Sequence, residues 1–313
     1  MDFSIVFSFY NEEDVLDELI HRVEAALAPL EIEYEMIFVN DRSTDKSLEI
    51  LEEKSRTNKR IKVLNMSRRF GVHPCAMAGL KHSTGKAVAY MDSDLQDPPE
   101  LLPRMYEKFA QGADVVHMTR TERLGESALK MWITRMAYKV LNKLADIDLP
   151  ENTGDFKLLS RRVVDEMNKL GEHDPFMRGL VCWVGFTQVT IHYKREPRAA
   201  GETHFPLLGK GPVKEFKRGL TSFSAVPLYI ALVLGLGVSL FAFFYLGVVL
   251  ICKFLGMNLP GWSAIMSAIL FLSGTILFTN GVIGLYIAQI YNNVKGRPNY
   301  IVESTINIEE RDT

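Results

Sequence analysis

The chain has 313 residues, a formal charge of −2 at pH 7 and 47% hydrophobic side chains, averages ordinary for a globular protein. Their distribution is not ordinary: from Gly219 to Val294 the only charged side chain is Lys253, whereas residues 1–218 hold 32 of the 36 Lys+Arg and 34 of the 38 Asp+Glu. That asymmetry excludes a chain that is water-soluble from end to end.

In chain order, the apolar run Phe3 to Phe9 ends in polar Asn11, Glu12 and Glu13, and Asp2 stands where a signal peptide would carry positive charge, so the run reads as a first β-strand. A helical pattern follows over Val15–Leu27. Strand and helix then alternate: Tyr34–Val39 and Lys46–Lys54, Ile61–Leu64 and His73–Lys81, Ala87–Met91 and Glu100–Phe109, Val115–Met118 and Leu129–Leu144. Strict alternation implies βαβ crossovers and a mostly parallel sheet, whose ligands bind beyond the carboxyl ends of the strands. The stretch His192–Arg218 carries seven Lys+Arg against three Glu, and Val213, Phe216, Leu220 and Phe223 recur at helical spacing. This fits an interfacial amphipathic helix and equally a topology signal. Two apolar runs, Pro227 to Cys252 and Ser263 to Tyr291, each exceed the ~20 residues a helix needs to cross the hydrocarbon core, and together predict a transmembrane hairpin. Lys210, Lys214, Lys217 and Arg218 precede the first run and Lys295 and Arg297 follow the second, so the positive-inside rule puts both termini in the cytoplasm. The expected division is a catalytic domain over 1–206, a juxtamembrane helix over 207–226, two spans over 227–292 and a tail over 293–313.

The polar residues directly after each strand are the candidates for chemistry. Tyr10, Asn11, Glu12 and Glu13 follow the first strand, Asn40, Asp41, Arg42 and Ser43 the second, and Asp92, Ser93, Asp94, Leu95, Gln96 and Asp97 the fourth. Some of these suit helix capping: Asn11, Asp45, and Asp97 ahead of Pro98 and Pro99. Asp92 and Asp94 stand too far ahead of a helix to cap it. Two carboxylates so close repel unless a cation or donor lies between them, and alternating hard oxygens with Gln96 nearby suit Mg²⁺ or Mn²⁺. Neither GxxxxGK[ST] nor GxGxxG occurs, and Cys75, Cys182 and Cys252 are scattered without a zinc or disulfide pattern.

The segments FYNEE (9–13), VNDRSTD (39–45), RRFG (68–71), MDSDLQDPPEL (91–101), TGDFKLLSRR (153–162) and AGETHFP (200–206), followed by two spans, resemble the polyprenyl-phosphate glycosyltransferases of family 2. The likeness is closest to bactoprenol glucosyltransferases and more distant to dolichyl-phosphate mannose synthases. The resemblance implies a GT-A fold that moves one sugar, glucose favoured, from a nucleotide sugar, a UDP-sugar favoured, to undecaprenyl or another polyprenyl phosphate with inversion. It implies an enzyme of the bacterial inner membrane acting at the cytoplasmic face, a homo-oligomer, with no nucleic acid as partner. By the same resemblance Tyr10, Asn11, Glu12, Asp41 and Asp92 hold the nucleoside, and Asp92, Asp94 and Gln96 hold the Mg²⁺ or Mn²⁺. Asp155 is the catalytic carboxylate, and Arg120, Arg123, Arg135 and His204 face the acceptor phosphate. A bland alternative for Asp155 is a loop carboxylate paired with Lys157 or Arg161.

Several positions depart from the family pattern, namely Ser8, Arg42, Arg69, Lys157 and His204. Competing readings are a processive polysaccharide synthase, disfavoured because no QxxRW follows, a catalytically silent nucleotide-sugar binder, and a lipid translocator, disfavoured because neither span carries an internal charge.

Overall fold

The computed structural model describes residues 1–121, 136, 149–150, 153–173, 175–194, 218–256 and 261–308. Apart from residue 136 the expected helix Leu129–Leu144 lies outside them, as do residues 207–217 of the expected juxtamembrane helix 207–226.

Eight strands form one sheet: β1 Phe3–Phe9, β2 Tyr34–Asn40, β3 Ile61–Met66, β4 Ala87–Asp92, β5 Val115–Arg120, β6 Thr153–Ser160, β7 Gln188–Tyr193 and β8 Val302–Ile306, in the order β7-β5-β6-β4-β1-β2-β3-β8. β1 and β2 are buried along their whole length, as strands covered on both faces must be. One face packs on α1 Leu16–Leu27 and α4 Leu102–Ala110, through Leu16, Leu19, Val23, Leu102 and Met105 against Phe3, Ile5, Phe7 and Phe38. The other packs on α2-following helix α3 Val72–His82 (α2 is Ser47–Thr57), α5 Arg161–Lys169 and α6 Met177–Trp183, around Val6, Ile37, Val39 and Val88. α3 lies close on the sheet because Gly79 has no side chain; a Cβ there would stand 2.2 Å from Val6 Cγ1.

The expected βαβ order holds for β1 to β4, whose pairings are all parallel. β2 and β3 lie on one side of β1 and β4 on the other, so the chain reverses its winding between β1 and β4, the switch point where open α/β sheets bind ligands. Two strands run against the others. β6 inserts antiparallel between β4 and β5, and β8 pairs antiparallel with β3. The segment 293–313, expected to be a tail, thus supplies the edge strand of the catalytic sheet.

Between β7 and β8 stand α7 Val226–Phe254 and α8 Trp262–Val294. Both contain spans long and apolar enough to cross a membrane, Val226–Val249 with mean hydropathy 2.4 and Ile265–Val294 with 1.9, and neither window is buried against protein. A 24-residue helix extends about 36 Å at 1.5 Å per residue, more than a ~30 Å hydrocarbon core. Because β8 shares a sheet with β1 to β7, the two ends of this helical pair must emerge on one side, so the helices either both cross a bilayer or neither does.

Candidate active site

Three loops at the switch point carry the first candidates, and each contains a non-glycine residue in the left-handed region: Asn11 (φ 55°) after β1, Arg42 (φ 64°) after β2 and Leu95 (φ 57°) after β4. Such backbone costs of order 1–3 kcal/mol and persists where its surroundings over-determine it. Leu95 is pinned by burial in the core, which turns Asp94 and Gln96 into the loop; Asp94 Oδ1 there accepts the Gln96 N–H at 3.2 Å. Asn11 is pinned by its side chain, whose Oδ1 accepts Thr44 N–H at 2.8 Å and whose Nδ2 donates to Thr44 Oγ1 at 3.1 Å.

Asn11 therefore ties the first two loops together and caps no helix; α1 starts at Leu16 without a side-chain cap. Asp45 behaves partly as expected, its Oδ1 accepting the Ser47 N–H at 3.1 Å at the start of α2 while Oδ2 accepts from Glu13 N at 3.2 Å. Asp97 does not cap either. Pro98 occupies that position, and the buried Asp97 carboxylate accepts the Tyr193 hydroxyl and an Arg120 Nη2–H at 3.4 Å. Sequence proximity to Pro98 and Pro99 suggested a cap because β7, which brings Tyr193, is remote in the chain.

Asp41 is buried and accepts the Phe70 N–H at 2.6 Å and the Gly71 N–H at 3.0 Å, so it holds the loop after β3 against the loop after β2. Arg69 Nε lies 3.8 Å from Asp41 Oδ2, and its guanidinium stacks 3.8 Å over the Tyr10 ring. Glu12 donates its N–H to Ser47 Oγ at 3.0 Å. Tyr10, Asp41 and Arg69 thus form one cluster beside the switch point.

β6 decides the rest. Running antiparallel, it begins at the rim where the parallel strands end, so Thr153, Gly154 and Asp155 stand beside Asp92 and Arg120. Asp155 lies on a strand, paired with neither Lys157 nor Arg161. Its partner is Arg178 of α6, whose Nε donates to Oδ1 at 2.9 Å and Nη2 to Oδ2 at 2.7 Å. Burial raises the Asp155 pKa, but the charge and bidentate hydrogen bonds of Arg178, helped by Lys157 and His73, outweigh it and hold the carboxyl well below the usual range. Asp92 goes the other way: burial, with Asp155, Asp94 and Asp97 around it, pushes its carboxyl up to about 7, only partly offset by Arg120. Lys157, buried beneath Asp155, is brought down to about 8 by burial, which Asp155 opposes.

Arg120 is held from behind. Its Nε donates to the Tyr193 hydroxyl at 3.2 Å, and the guanidinium fits only because Gly154 lacks a side chain, a Cβ there lying 2.7 Å from Nη2. Arg178 and Tyr193 were not among the sequence candidates. An exposed-pattern search would pass over both, since Tyr193 ends an ordinary strand and Arg178 stands second in a seven-residue apolar helix, although a lone arginine in MRGLVCW is itself a signal. Arg123, Arg135 and His204 lie outside the described residues.

The donor set at Asp92, Asp94 and Gln96 is hard oxygen throughout; burial raises Asp92 most, and the carboxylate crowding that adds to it is a condition a divalent cation relieves. Among the described residues no three His, Cys, Asp or Glu side chains form a closed metal cage.

Residues 4–167 match the sequence model of Glycosyl transferase family 2. The chain belongs to this family. The uncharacterized glycosyltransferase YkcC of Bacillus subtilis is 43% identical over 312 residues, covering 99% of this chain and 96% of its own. The bactoprenol glucosyl transferase of Shigella phage SfX is 36% identical over 307 residues, covering 97% and 99%. Among solved structures, glucosyl-3-phosphoglycerate synthase of Mycobacterium tuberculosis overlaps 70% of this chain and 79% of its own at 21% identity and a TM-score of 0.45. The expected family 2 membership and α/β architecture hold. The family match ends at residue 167, so Arg178, Tyr193, the helical pair and β8 lie beyond it.

Proposed function

We propose that this glycosyltransferase moves a single hexosyl group, glucose favoured, from a UDP-sugar to a polyprenyl phosphate at the cytoplasmic face of the bacterial inner membrane, with inversion. The observation that carries the reading is the placement of two anchored guanidinium groups, Arg120 and Arg178, on the rim that also bears Asp92 and Asp94, with α6 seated on the membrane-proximal segment. A Cβ on Gly179 would lie 2.4 Å from Phe223 Cε2, and Phe223 precedes the first span by three residues. A phosphate fixed at the headgroup plane by its lipid needs such a site close to the bilayer.

In the proposed reaction a phosphate oxygen of the acceptor attacks the anomeric carbon as the bond from that carbon to the nucleoside diphosphate breaks, and UDP departs with the bonding pair. Tyr10, Asn11, Glu12, Asp41 and Asp92 face the nucleoside. Asp92, Asp94 and Gln96 would hold Mg²⁺ or Mn²⁺, which when bound neutralises charge on the leaving diphosphate. The acceptor monoester, with a second pKa of about 6, is mostly dianionic near neutrality and has no proton to surrender. Asp155, kept ionised by Arg178, is too weak a base to be needed for one. Its role is electrostatic: a fixed negative charge beside a sugar ring that gains positive character in the transition state. Arg120 binds the acceptor phosphate, with Arg123, Arg135 and His204 as further cations for it.

The flanking Lys and Arg support a cytoplasmic placement of both termini, and the shared sheet supports their lying on the same side. Purified protein in detergent, incubated with undecaprenyl phosphate, Mg²⁺ or Mn²⁺ and a panel of nucleotide sugars, tests the reading by nucleotide release and lipid mass. A lipid heavier by one hexose with UDP release is the expected result. A ladder of masses supports a polymer synthase instead, and donor binding without turnover supports a silent binder.

A further inference from the structure

The strand that follows the membrane helices is wired to the loops that face the donor. In β8, Ser304 Oγ accepts Asn65 Nδ2–H at 2.9 Å; Asn65 Oδ1 accepts Asn40 Nδ2–H at 3.2 Å; Asn40 Oδ1 accepts Ser43 N–H at 2.8 Å; and Ser43 Oγ accepts Asn11 N–H at 3.0 Å. Asn40 and Asn65 are buried, so the bond between them is shielded from competing water, while Ser304 at one end of the relay and Asn11 at the other are exposed. Beside this chain of hydrogen bonds, Glu303 pairs with Arg42, the residue whose backbone is left-handed next to Asp41. Further along the strand Asn307 Nδ2 donates to Ser55 O at 2.8 Å and Ile61 O at 2.9 Å, anchoring β8 across the end of α2 and the start of β3.

A strand needed only to cover the β3 edge would be satisfied by its backbone ladder. The ladder here is interrupted, its register shifting between Asn65 and Met66, and it is at Asn65 that the side-chain relay toward the β2 loop begins. Arg42 keeps φ 64° in a turn held on one side by the Asn40 side-chain oxygen, which accepts Ser43 N–H, and on the other by Glu303 of β8, which pairs with Arg42.

We infer that Ser304 and Glu303 of the C-terminal strand are positioning residues for the donor nucleotide, acting through Asn65, Asn40 and Arg42 on the Asp41 loop. The membrane hairpin is thereby tied to donor binding, because the strand reaches the sheet only after the second span. The inference rests on the proposed donor role of that loop.

The test uses full-length protein in detergent, with UDP as the calorimetric probe and steady-state constants for donor sugar and lipid acceptor. Loss of the part-buried Asn65–Ser304 hydrogen bond, about 1 kcal/mol, predicts roughly fivefold weaker UDP binding and a matching rise in donor KM for Ser304→Ala, with acceptor KM unmoved. Ser304→Thr keeps the hydroxyl and restores wild-type affinity. Glu303 and Arg42 are both about half exposed, so Glu303→Gln weakens UDP only two- to threefold, and that effect vanishes in an Arg42→Gly background. UDP affinity unchanged in Ser304→Ala, or donor and acceptor constants worsening together with a lowered melting temperature, overturns the inference. If folded wild-type protein binds no UDP while transferring sugar from another nucleotide donor, the same series is read with that nucleotide. Turnover with no nucleotide affinity at the Asp41 loop, shown by an unaffected Asp41→Asn, overturns the donor reading itself.

Discussion

Removing Arg178 isolates the electrostatics of the site. In Arg178→Ala the Asp155 carboxylate, whose side chain is 14% exposed, loses both bidentate bonds while the neighbouring Asp92 charge remains. Breaking a buried pair by deleting one partner costs about 3–5 kcal/mol, and at about 2–4 °C per kcal/mol for a domain of this size the melting temperature falls by roughly 6–20 °C. The pH dependence carries the sign. In the wild type the Asp155 pKa is depressed, so its stabilisation is fully present above the unfolded carboxylate pKa near 4 and is lost only as pH falls through the lower folded value. Without Arg178, burial dominates and raises the pKa above the unfolded value. The deficit of the variant is then greatest at neutral and alkaline pH and shrinks as acid neutralises Asp155. Thermal melts of both proteins from pH 4 to 8, with the hairpin in the same detergent, measure the difference. A deficit that stays constant or grows toward low pH would refute the assignment of Arg178 as the group that keeps Asp155 ionised.

Other substitutions probe the remaining parts of the rim. Asp94→Asn removes a hard anionic oxygen and is expected to abolish turnover stimulated by Mg²⁺ or Mn²⁺ while the protein stays folded by circular dichroism; full activity of the wild type in EDTA would discard the metal assignment. Asp155→Asn keeps the shape but not the charge, so a slow residual rate that does not climb in proportion to hydroxide is expected, and a rate rescued by hydroxide would instead mark a general base. Gly154→Ala places a methyl group 2.7 Å from Arg120 Nη2 and must displace the guanidinium, raising acceptor KM about tenfold or more with UDP affinity retained; equal loss of both would count against Arg120 as an acceptor ligand.

Much of this protein is written locally. Apolar runs define β1 to β4 to within two residues, because strands covered on both faces must be apolar along their length. The helical pair was equally legible, since an uncharged stretch longer than a bilayer is a local property. The loops after β1, β2 and β4 followed from the rule that parallel sheets bind ligands at their carboxyl ends. Asp97 was misread, Arg178 and Tyr193 were missed, and the partner of Asp155 was not foreseen, because the groups that meet there come from segments far away in the chain. No local pattern says that Thr153–Ser160 will insert antiparallel between β4 and β5, yet that insertion carries Asp155 to the rim and makes room at Gly154 for Arg120.

The amino-acid order by itself therefore determined the α/β class, the acidic rim and the pair of long apolar helices, each set by periodicity, charge or length within a short window. The tertiary structure alone decided which charges meet. Pairing strands distant in sequence depends on closing long loops against the shape of the whole core, and that non-local balance placed Arg178 on Asp155, Tyr193 on Asp97, and the strand after the apolar helical pair beside the loop of Asp41.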